Sequence, residues 1–335
     1  MADYAVLGAG SWGTALALVL ARNGHAVRLW AHDPATVRAM ADTRHNPRHL
    51  SDHPLPAGIR PTVEQRAAVA GADAVLIAVP SHAFAATVQA LAPVIAADTP
   101  VLWATKGLDN ASGGLLHDVA AAALPRQPLA ALSGPSFAGE VAAGLPTAVV
   151  LAGRDRAVTE RLCADFHDPR FRVYRSDDRI GVGLGGAVKN ILAIATGIAD
   201  GLGFGANARS GLVTRGLAEV RRLGAVLGAD DRTLTGLAGL GDLMLTCTDD
   251  QSRNRRMGLA LGRGESIDAA TTRIGEVVEG VRTAAELGQM ARRLAVELPI
   301  CSAVESVVDG TRSPIDAATA LMERRRGPEF DDLGT

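Results

Sequence analysis

Cysteine is scarce: Cys163, Cys247 and Cys301 are the only three in 335 residues, and they lie far apart. That spacing excludes a disulfide framework and offers no metal-ligand pattern, so neither a structural metal nor an oxidising compartment is expected. Aromatic residues make up only 3% of the chain, against 37 glycines. Such a balance suggests close backbone packing and small pockets rather than aromatic cages. The formal net charge is −2, which argues against nucleic acid as a general partner. No apolar run reaches membrane-spanning length without glycine or charge, and no charged-then-apolar leader precedes the first apolar run at Tyr4. The expectation is therefore a cytoplasmic protein with no membrane span.

What is present is a globular composition, 47% apolar and 21% charged, in a chain too long for one ordinary core. Two domains are expected. Residues 4–7 form a short apolar run followed at once by Gly8, Ala9, Gly10, Ser11, Trp12 and Gly13. An alanine/leucine helix follows over 14–23, then a second apolar run over 25–30. A lone G-x-G-x-x-G is weak, but strand before and helix after give it a mechanism. Gly8 makes the tight turn, Gly10 lets the backbone approach a pyrophosphate, and Gly13 packs helix on strand. The pyrophosphate then rests on the helix N-terminus. At the end of the second strand the ribose contact is ambiguous. His32 could face a 2′-phosphate, and Asp33 could accept from a 2′-hydroxyl or could simply cap the next helix ahead of Pro34. Acceptance of both NADP and NAD is the expectation.

After a His- and Pro-rich loop over 45–61, strands recur at 74–79, 101–105, 129–132, 147–151 and 171–174. In such sheets ligands bind beyond the carboxyl ends of the strands, which is where Lys106 and the loop 134–138 fall. Past residue 178 strand signals stop and alanine/leucine/glycine helices take over. The expected architecture is α/β: an N-terminal Rossmann-type dinucleotide-binding domain over 1–178, followed by an all-helical C-terminal domain over 179–322. Residues 323–335 read as a charged, flexible tail.

The helical half centres on residues 181–205. A buried helix is expected over 187–199, with Lys189 and Asn190 within it and Gly185 and Gly186 one turn earlier. A lysine there either snorkels to water or finds a partner, and the bare glycines leave room for a small molecule beside it. Asp242 lies in an apolar, glycine-rich turn. Ser252 is a good N-cap for a helix whose first turn holds Arg253 and Asn254. Positive charge there opposes the helix dipole, and a bound anion reverses that penalty, so an anion site is preferred to a surface arginine cluster.

These motifs together, GAGSWGTALA (8–17), WATKGL (103–108), SGPSFAGEVAAGLPTA (133–148), the run 180–209, GLGDLMLTCTDDQSRNRR (239–256) and GEVVEG (275–280), resemble the bacterial NAD(P)-dependent glycerol-3-phosphate dehydrogenases. The resemblance runs from Val6 to about Met322. It implies reduction of dihydroxyacetone phosphate to sn-glycerol 3-phosphate for glycerophospholipid synthesis, in an enzyme that could be a homodimer. It implies that Ser11, Trp12, His32, Lys106, Ala138, Arg253, Val277 and Glu279 line the dinucleotide. It implies that Lys106, Gly134, Ser136, Lys189, Asn190, Asp242, Ser252, Arg253 and Asn254 hold the substrate. Lys189 is then the acid/base, with Lys106 and Asp242 beside it. Val277 and Glu279 follow from the resemblance alone. The competing readings are another hydride-transfer dehydrogenase of the same superfamily and a non-catalytic dinucleotide sensor.

Overall fold

The computed structural model describes residues 1–324 and divides into two units. One comprises Met1–Thr105 with Leu116–Arg179. The other comprises Lys106–Leu115 with the described chain from Ile180 to Arg324.

The first unit alternates strand and helix. Its elements are β1 (Asp3–Leu7), α1 (Ser11–Arg22), β2 (Ala26–Trp30), α2 (Pro34–Thr43), β3 (His45–Asn46), β4 (Leu50–Pro54), β5 (Ile59–Thr62), α3 (Gln65–Val69), β6 (Ala74–Ile77), α4 (Ser81–Leu91), β7 (Val101–Trp103), α5 (Leu116–Ala123), β8 (Leu129–Ser133), α6 (Ala138–Ala143), β9 (Thr147–Gly153), α7 (Arg156–Phe166) and β10 (Phe171–Ser176). Eight strands form one sheet in the order β10-β9-β8-β7-β6-β1-β2-β5. All pairs are parallel except β8 with β9, so β9 and β10 run against the rest. The central strands read as continuous Val, Ile, Leu and Ala because both faces are covered.

The chain order reverses at β1, which pairs with β2 on one side and β6 on the other. Leu7 stands level with both Trp30 and Ile77, so Gly8 emerges beside Ala78 at the carboxyl edge of the sheet. That reversal is where such sheets open a binding crevice. The loop expected over 45–61 contains structure: the hairpin β3–β4, and β5 as a parallel edge strand on β2. Its anchor is tertiary. The buried Asn46 amide donates to Ala9 O at 2.8 Å and to Thr14 Oγ1 at 2.9 Å, a tie that no local pattern reveals. Pro61 is tolerated because β5 is an edge.

The second unit is helical: α8 (Arg179–Gly201), α9 (Gly205–Leu227), α10 (Asp231–Leu234), a π-helical turn over Leu237–Gly241, α11 (Asp242–Thr248), α12 (Arg253–Gly262), α13 (Ile267–Ile274), α14 (Glu279–Leu294), α15 (Pro299–Val308) and α16 (Pro314–Met322). Helix α8 begins at Arg179 rather than near residue 187. Its early glycines disfavour helix by propensity, but packing decides: a Cβ on Gly185 would stand 2.4 Å from Ala238 O. By length and hydropathy α8 could cross a membrane, yet 94% of its apolar window is buried among its neighbours, as in a core helix.

Helices α8 and α12 touch backbone to backbone. A Cβ on Gly197 would meet Arg255 O at 2.2 Å, and one on Gly258 would meet Ile194 O at 2.1 Å. Gly201 and Gly262 repeat the contact one turn on. Residues 106–115, expected with the sheet, group with the helices because Leu108 and Leu115 pair across a bridge and bury in the helical core. Of the expected tail 323–335, residues from 325 on lie outside the described residues.

Candidate active site

In the first unit the glycine-rich turn has the geometry a dinucleotide needs. Gly8 sits at φ +115°, and a Cβ there would meet Ala78 O at 2.7 Å. A Cβ on Gly13 would meet Gly8 O at 1.9 Å, so only glycine lets α1 start this close to β1. Around Gly10 the space is open, and α1 has no side-chain cap on its first turn, leaving its leading N–H groups for an anion. The buried Trp12 Nε1 has no hydrogen-bond partner, while Ser11 Oγ donates to His49 O at 3.0 Å. A pyrophosphate fits this turn.

The ambiguity at the ribose resolves in part. Asp33 caps α2, accepting from Ala35 N, Thr36 N and Thr36 Oγ1, and these bonds hold its carboxyl below the usual range. His32 is exposed beside it. Gly134 (φ +145°) turns the chain after β8, Ser136 Oγ donates back to Gly134 O at 2.8 Å, and Ala138 opens α6.

The second unit gathers the ionic residues. Lys189 Nζ donates to Asp242 Oδ1 at 2.5 Å and to Thr246 Oγ1 at 3.1 Å. Lys106 Nζ donates to Asp242 Oδ2 at 2.7 Å. One carboxylate thus holds two ammonium groups, one on α8 and one at the start of the 106–115 segment. Asp242 itself is wholly buried. Burial alone would push its carboxyl up, but Lys106 and Lys189 together hold it below the usual carboxylate range. Burial brings the Lys189 ammonium down to about 7, with Asp242 opposing and Lys106 adding to the fall. A lysine poised in this way can release and recover a proton near neutral pH. Asp242 does not lie in a turn, as the sequence suggested; it opens α11 directly after the π-helical turn.

The residues expected at the anion end stand at the start of α12. Ser252 caps α12, its Oγ accepting from Arg255 N at 3.2 Å, which leaves its hydroxyl proton to donate. Asn254 is buried and committed on both sides: Nδ2 donates to Asn190 Oδ1 at 2.9 Å, and Oδ1 accepts from Gly280 N at 2.8 Å. This carboxamide therefore ties α8, α12 and the start of α14 together, with one N–H to spare. Gly280 is required there, since a Cβ would lie 2.8 Å from Asn254 Oδ1. Arg253 is partly exposed and pairs with Glu276 at 3.2 Å. Val277 is exposed, and Glu279 opens α14.

Three residues in this constellation have no part in the sequence reading. Thr246 lies one helical turn from Asp242, and reading 242–248 as helix would have exposed it. Glu276 sits in GEVVEG as the partner of Arg253. Arg255 is buried between Asp200 and Asp250.

Comparison with known proteins supplies the family. Residues 3–159 match the model for the NAD-dependent glycerol-3-phosphate dehydrogenase N-terminus, and residues 178–319 match that for the C-terminus. A glycerol-3-phosphate dehydrogenase [NAD(P)+] of Halorhodospira halophila is 56% identical over 98% of both chains. That of Stenotrophomonas maltophilia is 52% identical over 98% of this chain and 96% of its own. The crystal structure of glycerol-3-phosphate dehydrogenase from Coxiella burnetii superposes with a TM-score of 0.94 at 48% identity, covering 96% of this chain and 99% of that one. At 15% identity and a TM-score of 0.62, D-mandelate dehydrogenase shares the fold alone. Near-full-length identity above one half, matched by both domain models, leaves no room for a neighbouring dehydrogenase: the chain belongs to the NAD(P)-dependent glycerol-3-phosphate dehydrogenase family.

Proposed function

We propose that the Lys106–Asp242–Lys189 cluster performs the proton half of ketone reduction and that the α12 N-terminus grips the substrate phosphate. The reaction is the NAD(P)H-dependent reduction of dihydroxyacetone phosphate to sn-glycerol 3-phosphate, which supplies glycerophospholipid synthesis. The reduced dinucleotide, when bound, supplies the hydride. Lys189 gives its proton to the ketone oxygen as negative charge develops there. Lys106 is the second cation that polarises this oxygen or binds the substrate. Asp242 orients both lysines before the reaction and favours the charged form of Lys189. Arg253 offers a planar fork to the phosphate, joined by the Ser252 hydroxyl, the spare Asn254 N–H and the free backbone donors of α12. Ser11, Trp12, His32, Ala138, Val277 and Glu279 are assigned to the dinucleotide, and Gly134, Ser136 and Asn190 to the substrate.

The observation that carries this reading is the shared carboxylate, because a buried and a half-buried lysine on one buried aspartate form a poor structural device and a useful chemical one. The test compares dihydroxyacetone phosphate with dihydroxyacetone in wild type and Arg253→Lys. Lysine keeps the charge and loses the fork, so kcat/KM for the phosphorylated substrate should fall by roughly 1.5–3 kcal/mol, with little change for the other. Equal losses on both substrates would remove Arg253 from the phosphate. The same reading includes a cytoplasmic location, in keeping with three free thiols, and a homodimer, for which sedimentation equilibrium is the check.

A further inference from the structure

We propose that Arg255 is the positioning residue of the phosphate site, a role that rests on the assignment of Ser252, Arg253 and Asn254 to the phosphate. Arg255 follows those three in sequence, and its side chain is buried. Its Nε donates to Asp250 Oδ1 at 2.8 Å. Its Nη1 donates to Asp200 Oδ2 at 2.6 Å and to Cys247 O at 3.3 Å. These three acceptors belong to three places: the turn 249–252, the end of α8, and α11. One planar guanidinium therefore clamps the turn that launches α12 onto the helix that carries Lys189. Within the turn, Gln251 N donates to Asp249 Oδ1 and Ser252 N to Asp249 O.

The clamp is separable from the stability of the core. Asp200 Oδ2 also accepts from Arg209 Nη1 at 2.7 Å, Cys247 O also accepts from Thr196 Oγ1 at 3.3 Å, and Asp250 is largely exposed. Removing the guanidinium strands none of these three acceptors. What it removes is the bond between the turn and α8, so the expected loss is in where Ser252, Arg253 and Asn254 stand. Because catalysis and binding punish misplacements near 1 Å severely, the effect should appear as weakened grip on a phosphate.

The experiment measures steady-state kinetics of full-length Arg255→Gln, Arg255→Lys and Asp250→Asn on dihydroxyacetone phosphate and on dihydroxyacetone, with inorganic phosphate as a competing probe. For Arg255→Gln, KM for dihydroxyacetone phosphate and the inhibition constant of phosphate should both rise about tenfold or more, while kcat and the efficiency on dihydroxyacetone stay within about threefold. Arg255→Lys, able to reach one carboxylate, should recover part of the loss. Asp250→Asn, an exposed change with little folding cost, should raise the same KM by about threefold. Equal losses on both substrates, or an unchanged KM in Arg255→Gln or Asp250→Asn, would overturn the proposal. If wild type itself fails to discriminate the two substrates, the phosphate assignment falls. If wild type discriminates and Arg255→Gln does so equally well, only the role of Arg255 falls.

Discussion

Asparagine at position 242 is the most informative single change in this protein. Asp242→Asn keeps the shape of the side chain and removes the charge that two ammonium groups share at 2.5 and 2.7 Å. Each of those charged hydrogen bonds is worth roughly 1.5–3 kcal/mol, and removing one member of a buried ion pair costs about 3–5 kcal/mol. The buried Lys189 ammonium then faces that of the half-buried Lys106 without the carboxylate between them. A loss of about 4 kcal/mol lowers the melting temperature by roughly 10 °C in a unit of this size.

The pH dependence gives the sharper test. With Asp242 neutralised, Lys189 is left with its burial penalty and its Lys106 repulsion, so its folded-state pKa drops further below its unfolded value. The unfolded chain then binds more protons than the folded one between those two values, and stability rises with pH across that window. The deficit of the variant should therefore be largest near about pH 5 and shrink toward about pH 7, levelling off above that because wild-type Lys189 has then shed its proton too. Chemical denaturation at the two pH values measures it, alongside turnover of dihydroxyacetone phosphate. A variant with wild-type stability at about pH 5 and turnover within a few-fold of wild type would refute the shared-carboxylate reasoning.

Lys189→Met should leave dinucleotide affinity unchanged and lower kcat by about 10²–10⁴-fold; near-native turnover would remove Lys189 from the acid role. In wild type the rate of reduction should fall as pH rises through about 7, because the proton it needs leaves Lys189 over that range. Glu286 is buried on α14, and burial with Glu279 and Asp109 pushes its carboxyl up to about 7. The folded state thus holds a proton that the unfolded state has lost, and stability falls as pH rises from the ordinary carboxylate range through about 7. Glu286→Gln should flatten that slope in melts between pH 5 and 8. Asp33→Ala should lower the melting temperature and leave KM for NADH unaltered, since both carboxylate oxygens serve the α2 cap; a raised KM for NADH alone would return Asp33 to the ribose.

The glycine turn was legible because its function is local: Gly8, Gly10 and Gly13 are fixed by the strand before them and the helix after. Lys189 was legible because a lysine in an apolar helix contradicts its surroundings. Partners across long separations were not. Lys106 and Asp242 are 136 residues apart, and only folding shows that they meet. Thr246 was hidden by the glycines of Leu237–Gly241, which suggest a turn but form a π-helical one leading into α11. The hairpin over 45–54 was hidden for a similar reason, since Asn46 is anchored by Ala9 and Thr14 rather than by its own neighbours. Arg255 reads as one more surface arginine in QSRNRR until Asp200 is seen beside it.

The glycine contacts between α8 and α12 have a consequence for which molecules can react. Lys189 sits on one of these helices and the proposed phosphate site begins the other, while Gly197, Gly201, Gly258 and Gly262 bring the two backbones into direct contact. A methyl group on Gly258 would lie 2.1 Å from Ile194 O, so main chain sets the gap at these four glycines. On the proposed roles of Lys189 and the α12 start, the crossing would gauge the number of carbons between a reactive carbonyl and its phosphate. A ketone phosphate longer by one methylene should reach both ends poorly, and Gly258→Ala, if it folds, should shift the preferred length rather than widen it. On those roles, acceptance of a longer substrate would come from redrawing the helix crossing, where main chain meets main chain, more than from exchanging a residue in the pocket.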